Sequence, residues 1–206
     1  MLVDRSLRLA VRNFSTLFLV VFVVIAPLHL LYGLVFQDVV ALRELHPAIA
    51  EFPETRLVRG VGRADIAQAK VWFWVLVLVE VAALPILTRP VRRVLVMDAN
   101  AEVPTVVHAY RRRSPDGGSR LPVVETSGPA AAALVVVVCL ALAGGVLARL
   151  ILGRVVELLP DAAASLGMAI ADATARSGAA AVVLTAAVLA FDARRTVPTE
   201  RTPDLY

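Results

Sequence analysis

Four apolar stretches, each bounded by charge, constrain this chain more than any other feature: Asn13 to Gln37, Val71 to Thr88, Thr126 to Ala148 and Ser177 to Phe191. A hydrocarbon core about 30 Å thick is crossed by about 20 helical residues rising 1.5 Å each. The first and third stretches reach that length outright, and the second is interrupted once, by Glu80. The fourth covers only ~22 Å. Its helix is therefore expected to begin near Ala162 to Ala164 and to carry Asp172 and Arg176 at outer headgroup depth; the alternative is an interfacial helix ending near Arg176, then a short span. The reading is an all-α polytopic membrane protein of one domain, with spans near residues 14–36, 71–88, 128–151 and 164–192.

Composition agrees. The 59% hydrophobic content and mean hydropathy of +0.77 exceed the roughly 45–50% apolar share of soluble proteins. No piece between spans is long enough for a core of its own. The charge of +4 and pI near 10.0 do not imply a nucleic-acid partner, because the charges flank apolar segments, as topology signals do. Lys70 is the single lysine among 21 basic residues, and with abundant Ala, Val and Gly this points to a GC-rich bacterial genome. Cys139 is the lone cysteine, so no intramolecular disulfide is expected. The first stretch follows Arg5, Arg8 and Arg12 but is too long for a signal core and has no A-x-A site after it, so an uncleaved anchor is expected.

Loop charges orient the spans. Thirteen basic residues lie in the N-terminus, the second loop and the tail, against eight in the first and third loops. The positive-inside rule then places both termini in the cytoplasm of a bacterial plasma membrane. In the first loop Asp38 can cap a short interfacial helix carrying Val39, Val40, Leu42 and Leu45, ended by Pro47. In the second, a helix is expected to start near Pro104 and end at Arg111-Arg112-Arg113, before the turn Ser114-Pro115-Asp116-Gly117-Gly118.

Intramembrane polar residues are the functional candidates, because a charge in hydrocarbon is costly. By depth, Glu80 is level with Thr185: either a protonated packing residue donating to Thr185 or a backbone carbonyl, or a proton- or ion-coupling carboxylate. Asp172 and Arg176 are four apart on one helix face, and Arg149 can snorkel to their layer; they read as an interfacial ion cluster or as a site for an anionic lipid headgroup. His29 follows Pro27, whose freed carbonyl His29 or Tyr32 could satisfy. His29, His46 and His108 are too dispersed for a metal site, and no cofactor is expected. Arg89, Arg92, Arg93, Arg111, Arg112 and Arg113 form a basic cytoplasmic belt suited to anionic lipid or an acidic partner. Ala141, Gly144, Gly145 and Ala148 permit close helix packing. Gly60-Val61-Gly62 lacks the context of a dinucleotide site, and no P-loop, nucleophile elbow or H-E-x-x-H occurs.

Three patches resemble the bacterial membrane domain fused to, or named after, glycerophosphoryl diester phosphodiesterases. They are Leu7 to Phe36, with Arg12-Asn13-Phe14 and Pro27-Leu28; Ala99 to Arg112, with Pro104-Thr105 and Ala109-Tyr110-Arg111; and the exit Leu189-Ala190-Phe191-Asp192-Ala193-Arg194. The chain departs from that family in having fewer spans and in placing Thr196 to Pro203 before Asp204-Leu205. The phosphodiester-hydrolysing barrel is absent. The resemblance implies an accessory membrane module and argues against catalysis.

The leading expectation is thus a non-enzymatic membrane module that scaffolds or assists a membrane complex or organises lipid. Its expected partners are membrane lipids and a membrane-protein partner or a second copy. The alternative is a small transporter or channel subunit using Glu80. A lipid-modifying enzyme ranks third, since no acid/base pair converges at one depth.

Overall fold

The structure, a computed structural model, describes residues 2–36, 63–111, 130–156, 158 and 160–195. The helix expected after Asp38, together with His46, Arg112, Arg113 and the second-loop turn, lies outside them. All regular secondary structure among the described residues is helical: α1 (Leu2–Arg12), α2 (Phe14–Val35), α3 (Arg63–Ala99), α4 (Val106–Tyr110), α5 (Ala130–Val156) and α6 (Asp161–Arg195). Four of these, α2, α3, α5 and α6, are long and apolar enough to cross a membrane.

They run alternately up and down. Tyr32 near the end of α2 donates to the Ala69 carbonyl near the start of α3, at 3.1 Å. At the other end Thr16 donates to the Pro104 carbonyl just past α3, at 3.3 Å. Arg149 late in α5 meets Asp172 early in α6, and Arg92 late in α3 lies near Asp192 late in α6. Helix α6 is the centre: α2 and α5 pack most extensively on it, and α3 leans on both α2 and α6. Half of the apolar window of α6 is buried, against 11% in α5 and 17% in α3, so the last two present most of their surface to lipid. The core stripe of α2 is Leu17, Val20, Val21, Ile25, His29 and Gly33, at three- and four-residue spacing. Gly33 has to be glycine, since a Cβ there would stand 2.7 Å from that of Ala169. Of the small residues on α5, Ala141 is buried and Gly145 faces Ala179, whereas Gly144 has open space beside it.

Two boundaries correct the sequence reading and one agrees with it. The second span does not stop at Thr88: α3 continues through Pro85 and Pro90 to Ala99. Pro85 and Pro90 remove the donors to the carbonyls of Val81 and Ile86, a loss that membrane helices tolerate through local adjustment; between the two prolines Thr88 Oγ1 donates to the Pro85 carbonyl at 2.6 Å. Helix α3 ends in a Schellman closure, Glu102 N–H to Met97 O at 2.9 Å and Ala101 N–H to Asp98 O at 3.1 Å, with Ala101 left-handed at φ 59°. The last span is, as expected, one continuous helix, from Asp161 to Arg195, and the two-piece alternative falls. Finally, an amphipathic helix that the sequence reading missed, α1, precedes the first span. Ser6 and Ala10 are buried on one face, followed by Asn13, while Arg8 pairs with Asp4 on the solvent side at 3.0 Å.

The second-loop helix is present as α4, shorter than expected: it starts two residues after Pro104 and ends at Tyr110. Thr105 caps it by accepting from the His108 N–H at 3.3 Å.

Candidate functional site

Two levels of charge emerge, one near each end of the bundle. Asp192 lies twenty residues beyond Asp172 on α6, and Arg92 twenty beyond Trp72 on α3, ~30 Å in each case, the thickness of a hydrocarbon core; Glu80 and Arg176 lie within that depth, ~18 Å from Arg92 and ~24 Å from Asp192 along their helices. Trp72 and Trp74, exposed at 51% and 65%, mark one rim as an aromatic belt does. Arginines mark the other.

At the tryptophan end every span contributes to one polar layer. Glu80 of α3 is buried with His29 of α2 on one carboxylate oxygen, Oε1, and Arg176 of α6 on the other, Oε2, at 2.5 Å. With Glu80 ionised, His29 Nε2 is the protonated nitrogen and donates. Arg176 also lies over the Phe73 ring, 5.2 Å from its centroid, where a guanidinium is attracted by the π face. One turn earlier on α6, Asp172 accepts from Arg149 Nε of α5 at 2.5 Å. With a neutral imidazole the two acids and two arginines of this layer balance.

This geometry overturns the partners expected for Glu80 and Asp172. Thr185 donates to its own helix, to the Ala181 carbonyl at 2.8 Å, and does not meet Glu80. The depth count failed because it took Thr88 as the end of the span. Glu80 is level with His29, while Thr185 lies nine residues past Arg176, ~13 Å deeper. The Glu80 carboxyl instead meets an arginine and an imidazole from two other spans. Asp172 and Arg176 share a face but pair outward, to Arg149 and Glu80, and not with each other. His29 and Tyr32 bond across to α3 rather than to a carbonyl freed by Pro27. All five intramembrane candidates, Glu80, Asp172, Arg176, Arg149 and His29, thus meet in one layer. Phe73 was missed; its position seven residues before Glu80, two helical turns along one face, is the signal that could have found it.

The pairs at the other end involve fewer spans. Arg12 pairs with Asp98 at 3.1 Å, and Arg92 Nε lies 3.5 Å from Asp192 Oδ1 without making a hydrogen bond. Arg93 donates to the carbonyls of Ala109 and Arg111 at 3.1 and 2.6 Å, clamping α4 against α3. Tyr110 donates to the Val20 carbonyl at 2.6 Å, and burial raises its pKa. Arg89 is exposed. Part of the expected basic belt is therefore a structural clamp. Among the described residues no three His, Cys, Asp or Glu side chains come together to hold a metal ion.

Compared with protein-family models, with curated proteins and with solved structures, the chain finds no match.

Proposed function

We propose that this is a non-enzymatic, multi-pass module of a bacterial plasma membrane, with both termini cytoplasmic, that scaffolds or assists a membrane complex or organises lipid. One observation carries the reading. Both oxygens of the central carboxylate are committed to partners within the chain, so the polar layer closes on itself and ties α2, α3 and α6 together. Most of what remains for other molecules is the outward apolar surface of α3 and α5. The resemblance to the phosphodiesterase-associated membrane domain favours the same accessory role, and the excess of basic residues at the end holding the N-terminus supports the orientation.

A second reading, a small transporter or channel subunit, is favoured by the contact of His29 with Glu80, two proton-exchanging groups side by side inside the bundle. Reconstitution separates the two. Purified protein in liposomes loaded with a pH-sensitive dye is expected to show the same proton leak for the wild type and Glu80→Gln. In mild detergent it should be isolated with a stoichiometric membrane-protein partner or as an ordered self-assembly. A lone chain with proton flux that disappears in Glu80→Gln would overturn the scaffold reading.

A further inference from the structure

Arg176 is only partly used by the polar layer. Its Nη1 donates to Glu80, and no acceptor other than Glu80 meets it among the described residues. A guanidinium carries five N–H donors in a planar fork, and donors left unmatched in a low dielectric are costly. The side chain is nonetheless 32% exposed, on a surface that otherwise faces lipid. Its position says what could match it. Arg176 lies one turn, ~6 Å, below Asp172, and its guanidinium leans over Phe73, which sits between the rim residues Trp72 and Trp74. Lys70, exposed and with no partner among the described residues, is one turn further toward the rim on the same side of α3 as Phe73. Below them, on that side, run the half-buried Val77 and the exposed Val81.

The geometry points to a phospholipid site: Arg176 and Lys70 hold the phosphodiester of an anionic phospholipid of the leaflet at the tryptophan rim, over Phe73, with an acyl chain along Val77 and Val81. Arginine matches phosphate oxygens in a bidentate fork while keeping its bond to Glu80 through the remaining nitrogen, and lysine adds a point charge. A lipid fits better than free phosphate because the guanidinium lies below the rim and the flank beneath it is apolar. The site gives a specific ligand to the lipid-organising part of the proposed function. It rests on Arg176 and Lys70 alone, however, so it survives if no protein partner is found, and its loss leaves that partner untouched.

Native mass spectrometry of the protein released from micelles mixing phosphatidylglycerol with phosphatidylcholine tests it. The wild type is expected to retain phosphatidylglycerol preferentially. Lys70→Gln, an exposed change that leaves the polar layer intact, should weaken retention several-fold. The double variant Arg176→Gln/Glu80→Gln should weaken it about tenfold, the scale of one lost charge-assisted contact. Arg12→Gln, at the opposite end, should change nothing. Undiminished retention in Lys70→Gln, equal retention of the two lipids, or displacement of the lipid by inorganic phosphate would each overturn the assignment. Should the double variant fail to fold, Lys70→Gln decides alone.

Discussion

The same ion-pair chemistry operates at the two ends of the bundle under opposite conditions. At the tryptophan end the side chains of His29 and Glu80 are 3% and 10% exposed, and each charge is held by a group from another span. At the arginine end Arg12 is 69% exposed in its pair with Asp98, and Arg92 barely reaches Asp192. Water and ions can take over from Asp98 at Arg12 when that pair breaks, whereas nothing can take over from Glu80 at the buried His29. The polar layer therefore makes spans interdependent, and the arginine belt mainly sets their depth.

The comparison fails first if Glu80 proves dispensable. Glu80→Ala strands Arg176 and His29 and should lower stability in detergent by about 3–5 kcal/mol. Adding Arg176→Ala should restore part of that loss. Glu80→Gln keeps an acceptor for only one partner and should fall between. A Glu80→Ala protein that melts with the wild type would show the layer to be solvated. Next in size, a double-mutant cycle on Arg149 and Asp172 should return a coupling of about 1–2 kcal/mol, while the cycle on Asp172 and Arg176 should be additive. Coupling in the second cycle and none in the first would restore the pairing along α6 that the structure contradicts.

Smaller effects belong to the arginine end. Tyr110→Phe removes the bond to Val20 and should cost about 1 kcal/mol at neutral pH. Burial raises the phenol above its ordinary 10.0. The wild type therefore holds that contribution below pH 10 and loses it as pH rises through the folded value. Its melting temperature should fall more steeply above pH 10 than that of Tyr110→Phe, and parallel curves would refute the buried phenol. Smallest of all, Arg12→Gln should shift stability by about 0–1 kcal/mol, a difference that shrinks on adding salt, whereas the Glu80→Ala deficit should persist.

The amino-acid sequence by itself determined the solvent and the number of spans, because crossing hydrocarbon demands length and apolarity that local composition reveals. It also singled out the polar residues that meet in one layer, since each interrupts or borders an apolar run. Partner choice was decided by tertiary structure. Charges such as Arg89, Arg92 and Arg93 mark where a helix leaves the membrane, not where it ends, so reading them as the end of the second span put Glu80 level with Thr185 instead of His29. Helix α1 was missed for a related reason: Arg5, Arg8 and Arg12 read as a topology signal, and its short apolar face gains its meaning only against α6. Asp172 and Arg176 are neighbours on one helix, yet each finds its counter-charge on another span. Which charges meet depends on the rotation and relative depth of packed helices, and neither quantity is written in the sequence near the residue concerned.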